Sequence, residues 1–149
     1  MSRAPFQVLV LPFRHNQDGY LEYAVFKRQD GEYWQFIAGG GENTEKPIEA
    51  AKRETFEEAR VSPKSEYIIL ESRNTVPVEG VTGEFTWGTD VYVIPEYTFG
   101  VKFDSVTIIL SREHTEYKWV SYKDAIAMLK WDSNKNALWE LNARISRKT

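Results

Sequence analysis

The segment from Gly39 to Val61 restricts this chain more than any other. A glycine run, Gly39-Gly40-Gly41, leads through Glu42-Asn43-Thr44-Glu45-Lys46 to Pro47, and a helix-forming stretch follows. The glycines are expected to form the turn that enters a helix running from about Pro47 to Ala59. Pro47 suits the first helical turn, where its missing N–H has no partner to lose. Thr44 or Glu45 can serve the amides at that end. Ile48, Ala51, Thr55 and Ala59 recur at helical spacing and form the stripe expected to pack on a core. The face beside that stripe is acidic: Glu54, Glu57 and Glu58 stand at i, i+3 and i+4 and share one side. Like charges at that spacing repel by about 0.2–0.5 kcal/mol per pair in an isolated helix. No packing need explains two such pairs around Glu54. A hard divalent cation would turn the repulsion into attraction, because Mg²⁺ takes carboxylate and water oxygens and works beside phosphates.

The flanking sequence reads as strands with few helices. Phe6 to Phe13 is a buried strand, Asn16 to Gly19 a turn, and Leu21 to Lys27 an alternating strand expected to close a hairpin with the first. Lys27 to Gly31 is a polar turn, and Tyr33 to Ile37 a short aromatic strand. Tyr67 to Arg73 reads as another strand, Val76 to Gly83 as a loop, and Phe85 to Trp87 and Thr89 to Ile94 as two strands or one bent strand. Pro95 to Asp104 reads as an irregular connection, and Tyr117 to Val120 as the last strand. Ser121 can cap a helix over Tyr122 to Leu129. Asp132 or Ser133 can cap a final helix reaching about Ser146. Hairpins without regular βαβ repeats indicate an α+β fold.

The chain has 149 residues, enough for one domain with a sizeable core. Its net charge of −3 argues against a grip on nucleic-acid polymers, whose phosphates are held by Lys and Arg. With no cysteine, disulfides and thiolate metal sites are excluded. That fits a cytoplasmic setting. No segment reaches the roughly 20 apolar residues that span a bilayer. The apolar run Phe6 to Phe13 is too short, and lacks the small-residue cleavage site, for a signal peptide.

Three glutamates alone are ordinarily a solvated helix face, with Arg53 paired to Glu57 or Glu49. The spacing of the whole segment counts against that reading. Gly39, five residues, Glu45, seven residues, Arg53-Glu54, two residues, then Glu57-Glu58 resembles the box of the Nudix hydrolases. Thr55 stands where that family usually has an aliphatic residue, Arg60 where it has glycine, and Ile37-Ala38 where it often has Pro-Gly. The resemblance implies a single Nudix domain over residues 1–149, with a mixed β-sheet sandwiched between α-helices. It implies a Mg²⁺ site, with Mn²⁺ as an alternative, held by Glu54, Glu58 and Glu57 together with the Gly39 carbonyl. Glu113, just before the last strand, is implied as a further ligand or as the catalytic base, with Glu116 the second choice. Glu57 is a further candidate for the catalytic role, and Arg53 is expected to orient a glutamate. His114 reads as a loop residue.

Beyond the box, several elements look like the bacterial dihydroneopterin triphosphate and dATP pyrophosphohydrolases within that family. These are Tyr33-Trp34-Gln35, Glu113-His114 with Tyr117-Lys118-Trp119, and Trp131 with Ser133-Asn134. They imply hydrolysis of a nucleoside triphosphate, or its pterin analogue, to the monophosphate and pyrophosphate. Arg3, Lys27, Arg28, Trp34 and Ala38 are the expected substrate contacts. The implied partner is a small nucleotide or pterin triphosphate, with no nucleic-acid polymer and no membrane, bound by a monomer or homodimer. Two rivals stand beside this reading. One is a Nudix hydrolase of a sugar nucleotide or dinucleoside polyphosphate. The other is a non-catalytic nucleotide-sensing module.

Overall fold

In a computed structural model, residues 2–81, 87–104 and 108–147 are described. The sheet is built around β1 (Arg3–His15), whose apolar run is buried on both faces. Ala4, Phe6, Val8 and Val10 point into one core layer, and Leu9, Leu11 and Phe13 into the other. That is the period-2 alternation of a strand covered on two sides. β1 is long enough to hold two antiparallel neighbours along its length. β4 (Ile37–Glu42) pairs with its first part and β2 (Leu21–Arg28) with its end, where Phe13 faces Tyr23. The hairpin turn between β1 and β2 is closed by the Asn16 side chain, which accepts from the backbone N–H groups of Asp18 and Tyr20.

The other side of β1 carries β6 (Val93–Lys102) in parallel, and β6 in turn pairs antiparallel with β5 (Tyr67–Pro77). β3 (Trp34–Gln35) and β7 (His114–Val120) both pair with β2. α1 (Pro47–Ala59) packs on the face lined by Val8, Val10 and Phe26, burying Ala50, Ala51, Thr55 and Ala59. α2 (Tyr122–Met128) and α3 (Asp132–Arg147) cover the opposite face, where Ala125, Leu138 and Leu141 meet Leu11 and Phe13. The sheet is therefore mixed and lies between helices, as the α+β expectation holds. No helix among the described residues is long and apolar enough to cross a membrane.

Several sequence readings change. The glycines are not a turn: Gly39, Gly40 and Gly41 lie within β4, and the chain turns at Asn43, which adopts a positive φ of 49°. Residues 95–102, read as irregular, belong to β6. Pro95 precedes the stretch of β6 that pairs with β1, so its missing N–H removes no bond from that central ladder. Thr89 and Asp90 form a turn rather than a strand, while Phe85 and Thr86 lie outside the described residues. β5 runs on to Pro77, into the segment read as a loop, and β7 begins at His114, which is a buried strand residue. At α1, neither Thr44 nor Glu45 takes the first helical amides. Glu49 accepts from the Lys46 N–H at 2.7 Å, and Glu45 instead accepts from the Glu42 N–H at 2.8 Å.

Candidate active site

α1 runs beside β4, and the box residues meet along that seam. The Glu54 side chain lies across Gly39, so a Cβ at position 39 would collide with its carboxyl group. A Cβ on Gly40 would strike the Arg3 guanidinium in the same way. The two glycines thus let these side chains pack directly on the β4 backbone.

Arg53 is the hub of the acidic face. Its Nε and Nη2 donate to Glu45 at 2.9 and 3.0 Å, Nη2 to the Gly40 carbonyl at 2.8 Å, and Nη1 to Glu54 and Glu57 at 3.0 and 3.2 Å. Glu42 adds an ion pair at 3.5 Å. The bond to Glu45, first among these contacts, raises the already high guanidinium pKa. With its donors committed to carboxylates and to β4, Arg53 fixes the strand and the helix relative to each other. It has little left for a substrate.

The three glutamates differ in environment. Glu54 is mostly buried, and burial pushes its carboxyl up to about 7 against the pull of Arg53, with Glu57 and Glu58 adding to the rise. Glu57 is half exposed and leans on Arg53. Glu58 is only 5% exposed; its carboxylate accepts a very short bond from the Ser111 hydroxyl. Its Oε2 lies 3.4 Å from His114 Nδ1, without hydrogen-bond alignment. Burial alone would raise the Glu58 carboxyl, but His114, Ser111 and Glu113 outweigh it and hold it below its ordinary value. Glu113 shows the reverse: burial and the neighbouring Glu58 charge raise it, while Arg28, 3.8 Å away, opposes the rise. The loop before β7 therefore reaches the helical box, as Ser111 N–H also donates to the Glu58 carbonyl at 3.2 Å.

The donor set suits a hard divalent cation. No three acidic or histidine side chains among the described residues stand as a closed metal shell. Glu54, packed on the Gly39 backbone, and Glu58, one helical turn further on, offer hard carboxylate oxygens of the kind divalent cations take. A desolvated Glu54 beside two other glutamates is a carboxylate whose charge such an ion would stabilise.

Glu54 and Gly39 border a cavity of about 530 Å³ on the α3 side of the sheet, whose wall does not include Arg53, Glu57 or Glu58. Arg3, Arg28, Ala38, Gly39, Glu54 and Glu113 line it, bringing together six residues singled out in the sequence. Arg28 also holds Asp30 through two bonds of 3.1 and 2.9 Å. Lys27 and Trp34 are not on its wall. Alternation along β2 and β3 turns Lys27 away where Arg28 faces in, and turns Trp34 away where Tyr33 and Gln35 face in. Trp34 packs beside the core under α2 and α3, with the Lys118 ammonium 5.3 Å from its ring centre. The aromatic wall is instead Tyr33 against Trp131, edge to face at 5.5 Å. Glu116 sits on β7 opposite Lys27, off the cavity.

Sequence reasoning missed the cavity floor. Gln7, Asn74 and Glu96 lie there, and Glu96 is only 4% exposed. The alternation Glu96, Thr98, Gly100 against Tyr97, Phe99, Val101 carried the signal for β6, but Pro95 and Gly100 hid it.

Comparison with known proteins agrees with this geometry. The NUDIX domain profile matches residues 6–140. Dihydroneopterin triphosphate diphosphatase of Escherichia coli K12 is 27% identical over 138 residues, covering 91% of each chain. The crystal structure of a candidate NUDIX hydrolase from Listeria monocytogenes is 41% identical, covers 97% of both chains and superposes with a TM-score of 0.85. The E. coli dihydroneopterin triphosphate pyrophosphohydrolase structure shares the fold with a TM-score of 0.74 at 22% identity, covering 95% of this chain and 99% of that one. The chain belongs to the Nudix family, as a hydrolase of phosphoanhydride bonds.

Proposed function

We propose that this enzyme is a Mg²⁺-dependent pyrophosphohydrolase of a nucleoside triphosphate such as dATP, or of dihydroneopterin triphosphate, releasing the monophosphate and pyrophosphate. The observation that carries this reading is Glu54, desolvated and packed on Gly39 at the rim of a cavity that also takes Arg3 and Arg28. The E. coli relative named for the pterin triphosphate supports the substrate class. Residues 1–149 act as one catalytic domain, as monomer or homodimer, and the absence of cysteine suits the cytoplasm.

Glu54, Glu58 and the Gly39 carbonyl would hold the ion, with Glu57 as third ligand or reached through water. The chemistry a divalent ion would supply there is charge neutralisation of the phosphates and a more acidic water. Glu113 takes the proton from the attacking water. Its raised carboxyl is a better base than an ordinary surface glutamate. Glu57 is the base if Glu113 serves only as a ligand. Arg28 and Arg3 steady the outer phosphates as the bond breaks. Arg53 positions Glu54 and Glu57 without touching the substrate.

The test is turnover of dATP and dihydroneopterin triphosphate after exhaustive metal removal, then with Mg²⁺ or Mn²⁺ restored, with products separated by chromatography. Activity returning with the metal and yielding pyrophosphate is the expected result. Orthophosphate with a nucleoside diphosphate would reject the proposed bond. Faster turnover of a sugar nucleotide or dinucleoside polyphosphate would reject the substrate. Tight nucleotide binding without turnover would make the protein a sensor.

A further inference from the structure

We infer that Glu96, flanked by Gln7 and Asn74, reads the ring of the substrate and selects a 2-amino-4-oxopyrimidine edge, as in guanine or a pterin, over adenine. This rests on the triphosphate reading above and narrows it.

The three side chains stand in one row across the sheet. Gln7 on β1 pairs in register with Gly40 on β4 and with Glu96 on β6, and Glu96 pairs with Asn74 on β5. Four strands thus bring the box glycines and a buried carboxyl onto one line. Two strand spacings, about 10 Å, separate Gly40 from Glu96. That leaves room for a sugar and the first phosphate between a ring held at Glu96 and the chemistry at Glu54. All three side chains line the same cavity as Gly39, Glu54 and Glu113.

Glu96 is a costly residue for a merely structural position. It is 4% exposed, and burying a carboxyl without full pairing is unfavourable. An apolar side chain or an amide would fill the site more cheaply. Its Oε2 accepts from Gln7 Nε2 at 2.8 Å, but its Oε1 is buried without a hydrogen-bond partner among the described residues. Gln7 is itself oriented by Arg3, whose Nη2 lies 3.5 Å from Gln7 Oε1, which fixes the direction of its amide. Burial raises the Glu96 carboxyl, while Gln7 and Asn74 favour its ionised form. What the site lacks is a well-aligned N–H donor for Oε1, since the Asn74 amide beside it makes no hydrogen bond of proper geometry to it.

A 2-amino-4-oxopyrimidine ring offers such donors side by side, a ring N–H and an exocyclic amine, next to a carbonyl that a Gln7 or Asn74 amide can meet. Adenine offers one amine beside a ring nitrogen lone pair, which an ionised carboxylate repels. A site built to hydrogen-bond a substrate group rejects the analogue lacking it, because its own buried polar atoms are then left unpaired.

The experiment uses the α,β-methylene triphosphates of guanosine, inosine and adenosine, whose blocked bond separates binding from turnover. Calorimetry with Mg²⁺ is run on the wild-type chain and on Glu96→Gln. Guanosine and inosine differ only in the 2-amino group. The wild type should bind the guanosine analogue roughly tenfold or more tighter than the inosine one, the size of one charge-assisted hydrogen bond, and the adenosine analogue more weakly still. In Glu96→Gln the guanosine-to-inosine ratio should fall close to one. A wild-type ratio near one, a preference for adenosine, or a ratio unchanged in the variant would each overturn the inference and make Glu96 a cross-strand packing residue. If the variant does not fold, the wild-type ratios decide alone. Relative turnover of dihydroneopterin triphosphate and GTP then separates pterin from guanine. Discrimination between the analogues with no turnover of any triphosphate would sink the hydrolase reading and leave this one standing.

Discussion

Glu54 and Gly39 occupy one another's space: the glutamate carboxyl lies where a Cβ at residue 39 would be. A helix side chain and a strand backbone are thereby held closer than any other residue type at 39 would allow. The acidic face of α1 and the carbonyl of β4 are set side by side by that contact.

Gly39→Ala should therefore act on the site more than on the fold. The methyl group meets the end of a flexible side chain, which can swing aside, so the melting temperature should change by only a few degrees. Displacing Glu54 should lower kcat/KM by at least about tenfold, since small misplacements of catalytic groups are expensive. Steady-state kinetics with a thermal melt checks both. Unaltered kcat/KM would detach Glu54 from the reaction.

Glu58→Gln keeps the shape and can still accept from Ser111, but removes the charge. Turnover should drop at least ~100-fold, the scale of losing one electrostatic catalytic group. Relief of repulsion suggests a gain in stability, but Glu58 is also buried among favourable partners. The two effects oppose, so the urea midpoint should stay close to wild type. Near-normal turnover would remove Glu58 from the site.

Arg53→Lys tests geometry against charge. A lysine keeps the positive charge, but a single ammonium cannot span Glu45, Glu54, Glu57 and the Gly40 carbonyl as the guanidinium fork does. We expect a loss of about 2 kcal/mol in denaturant unfolding, because several partly buried hydrogen bonds to charged groups go together. kcat should fall more than KM rises, since Arg53 holds the glutamates and not the substrate. A wild-type kcat in Arg53→Lys would refute the positioning role.

Glu140 offers a pH test away from the site. The register of β5 against β6 shifts between Ile69 and Arg73, and Glu140 on α3 accepts from the freed N–H groups of Glu71 and Ser72, from the Ser72 hydroxyl and from Arg144. Burial opposes ionisation there, but these donors outweigh it and bring the carboxyl down to about 2. A folded-state pKa below the unfolded one contributes stability that is fully present above the unfolded value, near 4.3 for glutamate, and is lost as pH falls toward 2. Glu140→Gln should thus be less stable than wild type at pH 7, by about 1–3 kcal/mol, and the gap should narrow steadily below about pH 4.5. Urea midpoints across pH 3–7 measure it. A gap independent of pH would show that the charge contributes nothing.

Local spacing was enough to locate α1 and its acidic face, because helix periodicity and the Gly39–Glu58 pattern are properties of neighbouring residues. The same holds for the β1–β2 hairpin and for the Ser121 cap, whose hydroxyl accepts from Asp124 N–H at 3.2 Å. What lies across strands was decided only by the tertiary structure. The sequence could not say that Arg53 bonds the Gly40 carbonyl, that Glu113 reaches Glu58, or that Trp34 turns away while Tyr33 and Trp131 face the cavity. Nor could it place Gln7, Glu96 and Asn74, distant in the chain, in one row. Periodicity assigns a side chain to a face of its own element. Which residues meet on that face depends on strand register and helix docking, and these are set by packing of the whole core.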